Sequence, residues 1–475
     1  MIQTLLALAV MAPSLPAQAP PQTLQWQPCP GEGTSEMVCA DLSVALSPRS
    51  DRKIILKVGR LPATGTAAKK GSVLVNFGGP QGGQIALMRS RPEIFAKLRA
   101  SMDIVTWDPR GYPGLGSPVL QCDWSVLRTP PFPTDQAGFE RLIAENRARG
   151  AKCRDTDPPL FDHMDSASDA RDAEAVRVAL GEKRMNFIGT SYGGTIAQAY
   201  ARLFPNRVRT MYIDGTGNHA ARDWDRELDA IARDNERFMK RFLDWAEPGT
   251  ERRWRALVAK ADKEPIPAPQ VNARYDGTQL QALLAQKIKR GPAQWDAVAA
   301  AIKAAEGGDA SGFAGSSRYP YPGVPGGGVK ECLDFPRATS QEQVMNTVER
   351  LRRIAPNTGA AFPLAWHAQL TCAGWPAPTA NPPKPLPRKL PPILGAGTWQ
   401  DYAATKRVVD QVPGSRTIGF DGPGHNLFAA MANPCVIDHV SRYIITRRLP
   451  SRGVKCAPPA SSVQQEATRE SNNSQ

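Results

Sequence analysis

The stretch MNFIGTSYGGTIAQAY, residues 185–200, restricts what this chain can fold into more than any other. An apolar run leads into Gly189-Thr190-Ser191-Tyr192-Gly193, and a helical pattern follows at once. A chain passing from strand to helix in so few residues turns sharply, and the residue at the turn takes unusual backbone angles. Glycines on either side leave room for the helix to crowd the strand. The turn lifts the Ser191 hydroxyl above the sheet edge, at a helix N-terminus. The plain alternative is a glycine-rich turn with an incidental serine. The five-residue pattern alone is weak; its strand-to-helix setting gives it weight.

The flanking sequence supplies that setting. Residues 53–62 (KIILKVGRLP), 71–77 (GSVLVNF) and 102–108 (MDIVTWD) read as strands. A helix pattern at 166–181 precedes a strand at 184–189, a helix at 194–204 and a strand at 209–213. Such alternation predicts an α/β fold, with a mainly parallel sheet covered by helices on both faces. The periodicity then changes. Trp224, Leu228, Ile231, Phe238, Phe242 and Trp245 recur mostly three, four or seven apart, one apolar stripe on a long helix over 222–246. Further helices are expected near 278–290, 293–305 and 340–353, with a Gly-, Ser-, Pro- and Tyr-rich loop at 306–328. After a proline-rich linker at 376–392, the alternation resumes with strands at 391–397 and 415–420 and helices near 401–411 and 434–447. The expectation is one α/β domain, residues 20–215 and 386–456, interrupted by a large helical cap insertion at 216–385.

The N-terminus, MIQTLLALAVMAPSLPAQAPPQ, has an apolar run at 4–11 and small residues at Ala17 and Ala19. It reads as a signal peptide over 1–19, though no Lys or Arg precedes the run. No segment is long and apolar enough for a stable membrane anchor. The polar residues 457–475 read as a disordered tail. Eight cysteines, Cys29, Cys39, Cys122, Cys153, Cys332, Cys372, Cys435 and Cys456, form no Cys-x-x-Cys pair, which argues against a zinc site. An even count behind a signal-like segment favours disulfides and a secreted or extracytoplasmic protein. Sequence neighbours pair most economically: 29–39, 122–153, 332–372 and 435–456. Eight reduced, buried thiols are the alternative. The formal charge of +14 comes from scattered Lys and Arg, with no basic run interleaved with aromatics. It reads as a solvated surface, and no nucleic acid is expected as a partner.

A serine hydroxyl needs a base to take its proton. Of five histidines, His425 follows a strand in FDGPGHNLF, where a strand-end loop reaches the same sheet edge as Ser191. His163, His219, His367 and His439 lie in helical or polar contexts and read as packing or surface residues. A carboxylate between Ser and His in chain order would fix the imidazole tautomer. Asp401 is the one carboxylate in GTWQDYAATKR, the loop after strand 391–397. Its ordinary alternative is a helix N-cap. An oxyanion hole needs backbone N–H groups. Tyr192 would give one, and the turn NFGGPQGG (76–83) the other, from Gly79 or, as second choice, Gly78. The turn lacks the Lys of a phosphate-binding loop. No metal or organic cofactor is implied.

Together these residues resemble the α/β-hydrolase superfamily, and within it the secreted tripeptidyl-aminopeptidase-like and prolyl-aminopeptidase-like serine hydrolases. NFGGPQGG, DIVTWDPRGYPGLGSPVLQC, SASDARDAEAVRVALGEKRMNFIGTSYGG, ECLDFP, TCAGWP and GPGH carry the resemblance, which runs from about Trp26 onward. It implies a helical cap over a Ser191–His425–Asp401 triad and removal of N-terminal residues or short peptides. Two places depart from the family's pattern. Asp401 stands one position further from the preceding glycine, which leaves Gln400 at the usual place of the acid. Phe77 and Gln81 stand where Pro and Gly are usual.

The first reading is therefore an exo-peptidase acting on a peptide substrate. An esterase or amidase on a small acyl substrate would use the same machinery, and a catalytically weak binding protein could keep the same fold. An aminopeptidase must also hold an α-ammonium group. Asp223, Asp225, Glu227, Asp229, Asp234 and Glu236, on the first cap helix, are candidates, although most are expected to form its solvated face.

Overall fold

A computed structural model describes residues 23–31, 36–66, 69–79, 82–122, 132–314, 328–359 and 369–457. The signal-like segment, Gln81, His367 and most of the polar tail lie outside these residues.

The strands are β1 (Gln27–Pro28), β2 (Val38–Ala45), β3 (Lys53–Leu61), β4 (Ser72–Asn76), β5 (Asp103–Trp107), β6 (Met185–Thr190), β7 (Val208–Asp214), β8 (Ile266–Ala268), β9 (Ala273–Tyr275), β10 (Leu394–Gly397), β11 (Arg416–Phe420) and β12 (Lys455–Cys456). Ten of them form one sheet in the order β1-β2-β3-β5-β4-β6-β7-β10-β11-β12. From β5 to β12 every pairing is parallel, while β1, β2 and β3 join antiparallel at one end. The sequences follow that division. SVLVN and MNFIGT are buried at every position, as parallel strands covered on both faces must be. KIILKVGRL in β3 alternates between exposed and buried over its first half, as a strand with one wet face does.

Successive strand residues serve opposite cores. Leu74, Val105 and Phe187 pack with Ala170, Val176 and Ile196, from helices Ser166–Ala179 and Tyr192–Leu203. Val73, Val75 and Ile188 pack on the other face with Ile85, Val436 and Val440, from helices Gln84–Ser90 and Pro434–Thr446. Between β7 and β10 lie the helices Trp224–Trp245, Thr250–Lys263, Gly277–Ile288, Trp295–Glu306 and Gln341–Ile354, with cores of their own. The stripe on the first of these buries Leu228, Phe238 and Phe242, while Trp245 is exposed.

Several elements are absent from the sequence reading. Helix Gln136–Arg154 packs Phe139 and Leu142 against Leu228 and Val344. Helix Thr250–Lys263 buries Trp254, and β8 pairs with β9 as a small hairpin inside the helical region. The proline-rich linker runs through the structure as packed chain, with Leu386 and Leu390 in the main core. Four disulfides join Cys29 to Cys39, Cys122 to Cys153, Cys332 to Cys372 and Cys435 to Cys456. They fit an oxidising, extracytoplasmic setting. No helix among the described residues is long and apolar enough to cross a membrane.

Candidate active site

β6 ends at Thr190 and the next helix begins at Tyr192, so Ser191 alone makes the turn, with φ 53° and ψ −125°. An L-residue held there costs about 1–3 kcal/mol, which the surroundings must offset. The Ser191 amide donates to the Asp214 carbonyl at 2.7 Å, fixing the turn to the end of β7. The flanking glycines are required by contact. A Cβ on Gly189 would lie 2.4 Å from the Gly193 carbonyl oxygen, and one on Gly193 would lie 2.2 Å from that of Asn76.

The loop after β11 brings His425 to this turn, with Nε2 3.0 Å from Ser191 Oγ. Its Nδ1 lies 2.8 Å from Asp401 Oδ2. Asp401 stands at the N-cap position of helix Tyr402–Val409, yet its side chain caps nothing there. Its Oδ1 accepts instead from the Thr398 amide at 2.7 Å, which leaves Oδ2 facing the imidazole. Burial pulls the His425 pKa down, but the hydrogen bond and charge of Asp401 outweigh it and hold the pKa above 6.5. An ionised Asp401 places the neutral ring's proton on Nδ1, so Nε2 is the acceptor facing the serine hydroxyl.

The turn after β4 holds Gly78 and Gly79 at φ 87° and 124°. Gln84 braces it: Oε1 accepts from the Phe77 amide at 2.8 Å, and Nε2 donates to the Gly78 carbonyl at 3.0 Å. The Gly78 amide is spent on Asn76 Oδ1 at 3.0 Å. The amides of Gly79 and Tyr192 have no acceptor among the described residues. A Cβ on Gly78 would come within 2.7 Å of the Tyr192 nitrogen, so the two segments abut.

The other described histidines serve packing. His219 sits between the Asp334 carbonyl and Arg202, and burial lowers its pKa to about 3. His163 contacts the Pro159 carbonyl, and His439 lies on helix Pro434–Thr446.

Sequence reasoning misses the supporting groups. Thr398 Oγ1 donates to the Gly424 carbonyl at 2.6 Å, tying the acid loop to the histidine loop. Asn426 donates to Thr190 Oγ1 at 2.8 Å. Asp214 is fully buried behind the histidine and accepts from the Phe428 amide at 2.7 Å. Burial and the nearby Asp401 raise its pKa to about 7. A Cβ on the next residue, Gly215, would lie 2.9 Å from His425 Cε1 and 3.0 Å from Asp401 Oδ2. The one signal for this pair in the sequence is an Asp-Gly step directly after a strand.

The parallel sheet and the serine turn are those of an α/β-hydrolase, and the chain is a serine hydrolase. The alpha/beta hydrolase fold family matches at residues 145–303. The family described as TAP-like protein matches at residues 360–456. Tripeptidyl aminopeptidase of Streptomyces lividans is 29% identical over 451 residues, covering 86% of this chain and 81% of that protein. Serine protease Hip1 of Mycobacterium tuberculosis is 27% identical over 495 residues, covering 92% of this chain and 91% of its own. Proline iminopeptidase of Mycobacterium smegmatis, a solved structure, is 14% identical with a TM-score of 0.37, covering 86% of this chain and 100% of that one.

Proposed function

We propose that this chain is an exported exo-peptidase that releases N-terminal residues or short peptides through an acyl-enzyme. The observation that carries the chemistry is the unbroken run Ser191 Oγ–His425–Asp401, with contacts of 3.0 and 2.8 Å. In this reading His425 Nε2 takes the Ser191 proton as Oγ attacks the scissile carbonyl. The Gly79 and Tyr192 amides receive the developing oxyanion. His425 then gives the proton to the leaving amine, and the same base activates the water that hydrolyses the acyl-enzyme. Asp401 holds the ring's tautomer and stabilises its charged form. Residues 216–385 act as the cap, and residues 1–19 as the export signal. The choice of peptide over ester rests on the tripeptidyl aminopeptidase relative, similar over 86% of the chain.

The test is hydrolysis of free-amine and N-acetylated peptide amides, beside short-chain esters, by wild type and Ser191→Ala. Cleavage of free-amine peptides that vanishes in the variant is the expected result. Cleavage of esters alone would move the function to an esterase. No turnover and no labelling by a fluorophosphonate in a folded wild type would overturn the catalytic reading.

A further inference from the structure

Where the helical region meets the candidate site, nearly every charge has a partner. Phe238, on helix Trp224–Trp245, meets the Trp399 ring edge-on at 6.2 Å between centroids. Trp399 stands two residues before Asp401. The acids of that helix are all engaged. Asp223 caps it at the Arg226 amide. Asp225 and Asp229 pair with Arg350, and Asp244 with Lys240. Glu227 and Asp234 hold Arg407, and Asp234 also takes Arg237. Glu236 accepts from the side chains of Asn357 and Thr358.

Lys289 is the exception in this corner. It stands at the C-terminal cap of helix Gly277–Ile288 and is half-buried. Its ammonium makes no hydrogen bond or ion pair among the described residues. The turn that carries it is pinned: the Gly291 amide and Trp295 Nε1 both donate to the Ile288 carbonyl, each at 3.0 Å. Gly291 lies against the histidine loop. A Cβ there would come 2.6 Å from Pro423 Cγ, two residues before His425. The carboxylates whose charges act on Lys289 are Asp234 and Asp401. Both are already held, Asp234 by two arginines and Asp401 by Thr398 and His425. Burial lowers the Lys289 pKa to about 8, which still leaves it charged at pH 7.

We infer that Lys289 receives a carboxylate on the part of the substrate that leaves when the acyl-enzyme forms; the inference rests on the peptidase reading above. The strand order separates the two sides of the site. β4 and β6 lead into the turns of Gly79 and Tyr192, β10 and β11 into the loops of Asp401 and His425, and β7 lies between them. The oxyanion is therefore received on one side and Lys289 stands on the other. In the reading above His425 gives its proton to the leaving amine, so the leaving part lies along the histidine side. That side is open, for the His425 side chain is 41% exposed. A partly desolvated ammonium without a partner is costly in the empty enzyme, and a carboxylate that meets it recovers the difference through charge-assisted hydrogen bonds. The four-carbon stem gives the ammonium reach. The carboxylate has two possible sources: an acidic side chain on the first leaving residue, or the free C-terminus of a substrate that ends there.

The experiment uses free-amine peptides that share the released part and differ in the leaving part. One pair has Glu or Gln as the first leaving residue, both with amidated C-termini. The other has a single leaving Ala, as free acid or as amide. The acid-to-neutral ratio of kcat/KM is measured for each pair in wild type, Lys289→Met and Lys289→Arg. Wild type is expected to favour the acid in one pair, and that pair identifies the source of the carboxylate. Lys289→Met should lower the ratio about 10- to 100-fold, mainly through KM, while Lys289→Arg keeps it. Fluorophosphonate labelling of Ser191 reports whether each variant is folded; if Lys289→Met does not label, Lys289→Gln takes its place. No preference for the acid in wild type, or a ratio unchanged in a labelled variant, overturns the inference while the peptidase reading stands. A wild type that cleaves none of these peptides overturns both.

Discussion

At the residue scale, the catalytic carboxylate is held on both sides. Asp401 uses one oxygen on Thr398 and the other on His425. Asp401→Asn keeps the size but loses the charge that holds the ring's proton on Nδ1. If Asp401 is the acid, kcat should fall about 10⁴-fold. In wild type the acidic limb of the pH–rate profile should lie above 6.5, because the base must be neutral and its pKa is raised. A limb at or below 6.5 would contradict that assignment. Asp214 gives a separate test. Its folded pKa of about 7 is raised above 3.8, so it favours folding below the unfolded value, and that contribution is lost as pH climbs towards 7. Asp214→Asn removes this dependence. The melting temperature of the variant relative to wild type should therefore rise between pH 5 and pH 8; a constant difference would show that Asp214 titrates normally.

At the element scale, the strands and helices that carry the site are legible because each has a strong local signal. β4 and β6 are short continuous apolar runs, and the turn between β6 and its helix needs glycine at both flanks for contacts of 2.2–2.4 Å. Gly193→Ala should cost at least about 1–3 kcal/mol, since a backbone carbonyl cannot move aside as a flexible side chain can. Thermal unfolding would measure it, and an unchanged midpoint would refute the close approach. Helix Gln136–Arg154 shows the opposite case. Its sequence, QAGFERLIAENRARGAKCR, buries Asn146 and Arg149 with Phe139 and Leu142, so the buried face has no clean apolar period. The Ser191, His425 and Asp401 positions follow from strand-end loops. Thr398 and Asp214 do not, because their partners Gly424 and Phe428 come from a distant loop, and Gln84 does not, because nothing local marks the Phe77 amide and Gly78 carbonyl as its partners.

At the scale of the whole molecule, the helical region is tied within itself by a disulfide. The Cys332–Cys372 bridge closes the longest of the four disulfide loops, with a sequence separation of 40. Replacing both cysteines with alanine should cost about 4 kcal/mol on loop entropy, against about 3 kcal/mol for the Cys29–Cys39 pair. Melting of the two double variants would check the order. The ion pairs of Arg407 have a further consequence. That residue sits two turns along the helix headed by Asp401, and it grips Glu227 and Asp234 on helix Trp224–Trp245. Lifting that helix would break both ion pairs at once, one of them to a carboxylate that is 4% exposed. The clasp ties the two helices together. An Arg407→Ala protein would breathe where the native one is clasped.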